Sequence, residues 1–242
     1  MYRRRAPQRN AGQRRKAGDP VIFVYPEIDR VFDVDDGTLN TVIIENQELF
    51  RRLLSDLSDR LNGGTGKSIL SQDDVPVDMS EYAEIIDRFV PFEINRKELL
   101  SKVASALEKQ ANAPENYEQT MKTLRDVEAF LDSLAFDFPC DILFPKLSVS
   151  SIIKCASPQL CDDSESLSER LINYMELIYE FDRQKLFITV NMRSFVSDAE
   201  AELFARTVIA HGYRVLMLES AERERLSNEN RLIIDGDLCE IG

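Results

Sequence analysis

Residues 184–219, QKLFITVNMRSFVSDAEAELFARTVIAHGYRVLMLE, read as strand, helix, strand, and no other stretch constrains the fold as tightly. Residues 186–190 form a short apolar run with β-branched members, too short for a helix and suited to a strand covered on both faces. Ser197 with Glu200 three positions on is a capping box, so a helix is expected to start there. Leu203, Phe204, Val208 and Ile209 give that helix an apolar side, and Gly212 stands where a left-handed C-terminal cap belongs. Residues 213–218 then supply a second buried strand. Two parallel strands joined through a helix must bury that helix on their sheet, so the expected fold class is α/β with a mostly parallel sheet.

A chain of 242 residues, 43% hydrophobic and 30% charged, is long enough for one large domain or a domain carrying an insertion. No apolar run approaches the roughly 20 residues that cross a bilayer, so no membrane association is expected. The basic N-terminus lacks the apolar core of a signal peptide. Without an export signal, Cys140, Cys155, Cys161 and Cys239 read as reduced thiols of a cytoplasmic protein. Cys155 and Cys161 lack zinc-ribbon spacing, and His211 is the single histidine.

The net charge of −13 is unevenly divided. Residues 1–18 hold seven Lys/Arg and no acid, which leaves 23 basic residues against all 43 acids, a net of −20 for the remainder. So acidic a body repels nucleic acid as a whole. It could hold DNA only through a segregated basic surface, a cationic arm or bridging divalent ions. Residues 1–18 have no apolar periodicity, and two readings stay open: a disordered tail, or an arm that lies along phosphates.

In chain order, residues 21–25 and 30–34 read as a β-hairpin around Pro26-Glu27-Ile28-Asp29, and residues 39–44 as another buried strand. Asn46 is expected to cap a helix carrying Leu49, Phe50, Leu53, Leu54, Leu57 and Leu61, which ends at Asn62-Gly63-Gly64. A segment at 82–89 reads as a strand. Asn95 and Glu98 suggest a capping box for a helix with Leu99, Leu100, Val103 and Leu107 on one side. A longer helix follows Asn112-Ala113-Pro114, then a loop at 137–147 and a short helix at 148–155. A further helix is capped by Ser166 and Glu169, and the last strand is expected at 231–235. The domain organisation that follows is a basic arm (1–18), an α/β head (19–94 and 166–242) and a helical insertion, or leg (95–165).

Residues 63–68, GGTGKS, invite comparison with a phosphate-binding P-loop, and an NTP-hydrolysing enzyme using them is the rival to the reading below. Such a loop needs G-x-x-x-x-G-K-[ST] between a strand and the opening of a helix, where amides and helix dipole meet the phosphates. Here the first glycine is replaced by Leu61, a helix precedes the loop, and an extended segment at 68–71 follows it. The plain alternative is a helix-to-strand turn with an exposed lysine. No Ser, His and Asp arrangement emerges from spacing, and His211 reads as an end-of-helix residue meeting the dipole rather than a base. The protein is therefore expected not to be an enzyme. Glu128 and Asp132 share one helix face, with Asp137 and Asp141 on the loop beyond. These acids read either as a solvated face or as oxygen ligands of the kind calcium takes.

The ordered set G-T-L-N-T-V-I-I-E-N before a helix, an acid-bearing helical insertion, L-F-I-T-V-N-M-R-S-F-V-S-D-A-E, V-L-M-L-E-S and R-L-I-I-D resembles the CRISPR-associated spacer-acquisition protein of type II-A loci. The likeness runs from Val21 to Ile234 and leaves residues 1–18 outside it. It implies a head related to P-loop ATPases without a working nucleotide site, and a helical leg that binds calcium. It further implies a homotetrameric ring that threads double-stranded DNA ends and acts with the CRISPR integrase proteins and the RNA-guided effector nuclease. In such a ring, cations can face the hole while acids cover the outside. Candidate phosphate contacts are Arg51, Arg52, Arg60 and Lys67 near the first helix, and Arg96 and Lys97 at the start of the leg. The calcium candidates are Glu128, Asp132, Asp137 and Asp141. Phe138, Pro139, Cys140 and Lys146 stand where the family usually places further acids, which implies weaker calcium binding or none.

Overall fold

The computed structural model describes residues 21–34, 37–161 and 163–241; the basic arm expected at 1–18 lies outside them. The first elements are strands β1 (Val21–Val24), β2 (Val31–Asp33) and β3 (Leu39–Ile44), followed by helix α1 (Gln47–Leu61). Strands β4 (Ile69–Gln72) and β5 (Val75–Pro76), helix α2 (Met79–Tyr82) and strand β6 (Ala83–Ile86) come next. Helices α3 (Lys97–Ala111), α4 (Pro114–Ala135), α5 (Val149–Ala156) and α6 (Leu167–Phe181) follow in succession. Strand β7 (Leu186–Val190), helix α7 (Asp198–His211), and strands β8 (Arg214–Glu219), β9 (Glu229–Ile234) and β10 (Glu240–Ile241) close the chain. The described residues fall into two compact units, one made of those up to residue 89 and from 184 onward, the other of those between 90 and 183.

The first unit is α/β. Its larger sheet runs β10-β9-β3-β8-β7-β6, parallel except for β10 against β9. Strands β3, β7 and β8 are buried at every position, the pattern of strands covered on both sides. On one face Val42, Ile44, Ile188, Val190, Leu216 and Leu218 share a core with Leu49, Phe50, Leu53 and Leu57 of α1. The alternate residues face the other way, where α7 packs on β3. Helix α7 begins and ends as its residues dictate. Ser197 and Glu200 form both halves of the capping box, and Gly212 closes the helix at φ 66°. Leu203, expected on its apolar side, is 57% exposed, so Ala201, Phe204, Ala205 and Val208 form the buried stripe instead.

The expected hairpin forms, and β1 pairs on its other edge with β4, making a separate antiparallel sheet β2-β1-β4-β5. Phe23, Phe32 and Leu70 carry that sheet into the core shared with α1. Residues 79–82 fold as α2 ahead of the short strand β6.

In the second unit, α3 packs against α4 and α5. The capping box expected from Asn95 does not form: Arg96 is the N-cap of α3 and makes no side-chain cap. Asn95 instead exchanges two hydrogen bonds with the backbone of Leu160, at 2.8 and 3.2 Å, a long-range pairing that local spacing does not reveal. Arg96 lies over the rings of Phe92 and Tyr174, at 5.8 and 5.0 Å. Helix α6 buries Leu171, Tyr174, Met175, Ile178 and Tyr179, whereas buried residues are few in the unit's first three helices: Leu99 in α3, Leu124 in α4 and none in α5. Beyond them Phe130, Leu134, Phe136, Phe138 and Leu143 are more than half exposed.

At the carboxyl end of β8 the first unit buries a charged network. Arg193 donates its backbone N–H to Glu219 Oε1 at 3.2 Å, and its guanidinium bonds Asp198 at 2.6 Å and the Glu224 carbonyl at 3.2 Å. Burial pushes the Glu219 carboxyl up to about 7, against the opposing pull of Arg193. Because the folded value lies above the unfolded one, the favourable contribution is complete below about 4.5 and disappears as pH rises through about 7. Urea unfolding between pH 5 and 8.5 should therefore show stability falling by about 2–3 kcal/mol through this group. Glu219→Gln should flatten the profile; an identical slope in the variant would assign the titration elsewhere.

Candidate nucleic-acid interface

Between β3 and α1 stand only Glu45 and Asn46. Asn46 accepts the Leu49 N–H at 2.9 Å, so the helix N-terminus is closed by its own cap. A P-loop would need a longer glycine-rich segment at this junction. The glycine-rich residues 63–68 lie instead after the end of α1 and lead into β4.

That turn is wound on a carboxylate. Lys67 donates its backbone N–H to Asp56 Oδ1, and Ser68 donates its own to Oδ2 at 2.8 Å. Burial works against the Asp56 charge, but the hydrogen bonds from Ser68 and Lys67 and the nearby charge of Arg60 outweigh it and hold the carboxyl below its ordinary range. These amides are the ones a phosphate would need. The glycines have packing reasons of their own. Gly63 adopts φ +78°, and a Cβ on Gly66 would fall 2.7 Å from the Asp56 carbonyl oxygen.

The candidate cations of the first unit gather around α1 but differ in their state. Arg52 places Nε and Nη2 on Glu27 Oε2 at 2.9 and 2.8 Å, and Nη1 on Glu48 at 2.9 Å. Lys67 reaches the other oxygen of Glu27 at 3.4 Å. Arg52 and Lys67 hold the Glu27 carboxyl below its usual range, although partial burial opposes the shift. Arg60 packs its stem on Gly66. Arg51 is exposed, makes no ion pair among the described residues, and lines an open groove of about 580 Å³ beside α1, with Ser55, Ser58 and Ser220. In the second unit Arg96 is engaged with aromatic rings, while Lys97 is exposed at the first position of α3.

The four acids considered for calcium do not come together. Glu128 accepts the Leu147 N–H at 3.0 Å, while Asp132, Asp137 and Asp141 are exposed. Among the described residues no three His, Cys, Asp or Glu side chains form a metal-ion group, so these acids do not fit a ready-made calcium site. His211 is exposed at the end of α7, with Nδ1 2.8 Å from the Thr207 carbonyl oxygen and its ring stacked on Tyr213. The described residues include no helix long and apolar enough to cross a membrane.

Asp56 and Glu27 were not singled out by sequence reasoning. An isolated acid has no spacing signature, and their partners lie 11 to 40 residues away. Asp56→Ala should lower stability by about 1–3 kcal/mol, because two backbone amides lose their acceptor. The wild-type advantage should be present above the ordinary carboxylate pKa and vanish as pH falls through the lowered value. Equal denaturation midpoints at neutral pH would show that the carboxylate does not hold the turn.

In comparisons with known proteins, the family model described as CRISPR-associated protein (Cas_Csn2) matches residues 60–238, about three-quarters of the chain. No curated protein matches.

Proposed function

The chain belongs to the CRISPR-associated Cas_Csn2 family, and on that premise we propose that it binds double-stranded DNA ends without regard to sequence during spacer acquisition. It does so as a homotetrameric ring and without catalysis, in the cytoplasm, alongside the CRISPR integrase proteins and the RNA-guided effector nuclease. The observation that carries the non-catalytic part is the turn at 63–68, whose Lys67 and Ser68 amides are given to Asp56 rather than left for a phosphate. The cations on and beside α1 are the contacts this reading assigns to DNA, because a body of net −20 outside its first 18 residues needs local positive groups to meet phosphates.

Contacts of this kind reach phosphates and leave base edges unread, so affinity should depend on salt and ends rather than on sequence. Arg51 is exposed without an ion pair among the described residues of the first unit, and Lys97 is exposed in the second. Calcium enters this reading only through the acids at 128, 132, 137 and 141, and chelation tests its part.

Gel shifts at low salt should favour linear duplex over closed circles of the same sequence. Equal binding to both would sink end recognition. Arg51→Ala should weaken binding a few-fold, by the same factor for unrelated sequences. ATP turnover abolished by Lys67→Ala would replace this reading with a nucleotide-hydrolysing one. Light scattering should give a tetramer mass, and the measurement is made with calcium and with chelator. A mass that falls on chelation, and in Asp137→Ala or Asp141→Ala, would give the ion a part in assembly.

A further inference from the structure

The carboxylate of Glu27 occupies the place between two cations that a DNA phosphate would take. Arg52 binds Oε2 through two nitrogens at 2.8 and 2.9 Å, and Lys67 approaches Oε1 at 3.4 Å. A phosphodiester presents the same arrangement, two non-bridging oxygens sharing one negative charge, and guanidinium and ammonium groups bind both kinds of anion in the same way. We propose that Glu27 is a built-in shield over a phosphate-binding pair formed by Arg52 and Lys67, and that DNA engages the pair by displacing the Glu27 carboxylate. The inference rests on the DNA-binding function above and adds its regulation.

Two acids touch Arg52, and their exposure decides which of them matters. Glu48 is 70% exposed and one helical turn away, so water screens its attraction. Glu27 is 28% exposed, is bound through two nitrogens and is shared with Lys67. It therefore competes with a phosphate where Glu48 does not. The Glu27 carboxyl is also held in its ionised form by the same two cations. The shield is thus in place wherever the protein is near neutral pH, and salt or DNA, not protonation, removes it.

Glu27 sits in the turn between β1 and β2, at Pro26-Glu27-Ile28-Asp29. The Tyr25 hydroxyl lies 3.4 Å from Glu27 Oε1, and Ile28 is buried in the α1 core. The turn is thus anchored beside its own acid. Displacing the carboxylate needs only a change of side-chain rotamer, and the backbone of the hairpin stays in place.

The test measures linear-duplex affinity of the full chain against salt for wild type and Glu27→Gln. Gln keeps the size of the side chain and removes its charge, and a thermal melt checks that the fold is kept. Freeing one or two cations should steepen the salt dependence by about 0.9–1.8 in log–log slope, an extra three- to twelvefold loss between about 50 and 200 mM salt, with tighter binding at the low end. The gain should vanish when Arg52→Gln and Lys67→Gln are added. Glu118→Gln makes the same change in net charge on α4 and should do nothing. Equal affinity and slope for wild type and Glu27→Gln would overturn the shield and leave the DNA-binding function standing. So would a gain that survives loss of both cations, or one that Glu118→Gln reproduces. If neither wild type nor Glu27→Gln binds linear duplex, the function itself fails and the shield falls with it.

Discussion

Strand β3 has no face to spare. Every residue from Leu39 to Ile44 is buried, with β9 on one side and β8 on the other. A strand so enclosed must be roofed twice, and both covers follow from that demand. Helix α1, with the small antiparallel sheet beyond it, closes one face, and α7 lies against the other. The position of Arg51, Arg52 and Lys67 is a by-product of this roofing. They ride on the outer side of α1, or on the turn after it, because Leu49, Leu53 and Leu57 commit the inner side to the sheet.

The same helix settles what its surroundings can bind. It starts two residues after β3 and satisfies its own first turn through Asn46. At the other end Asp56 gathers the amides of the glycine-rich turn. Amides committed to an internal carboxylate are held there by an ionic partner that never dissociates, so an external anion must compete with a group at very high local concentration. A side-chain cation faces a lesser obstacle, since its partner is another flexible side chain in partial contact with water. Chemistry around α1 is therefore carried by side chains rather than by backbone.

Much of the fold was legible because its signals are local. Ser197 and Glu200 sit one turn apart, Gly212 ends α7 through its own backbone freedom, and the mostly apolar runs of β7 and β8 describe two-sided burial directly. What stayed hidden depended on distant partners. Asn95 looks like a cap until Leu160 claims it. The strand after the glycine turn was expected, but its pairing with β1 was not, since sequence does not record which edge a short strand meets. Leu203 repeats at helical spacing and yet points to solvent, because α7 needs only a narrow stripe on the sheet. The candidate cations were visible as residue types. Their state was not, for it depends on Glu27, in a turn 25 residues before Arg52.

The thinly packed helices α3, α4 and α5 have a consequence for how the chain breathes. Protection of backbone amides from solvent exchange follows the apolar contacts that must be broken to expose them. Leu99 and Leu124 are the only buried side chains along α3 and α4, whereas every position of β3, β7 and β8 is buried. Deuterium should enter these helices while the sheet is still shut, so that one polypeptide carries a rigid frame and a separately melting module.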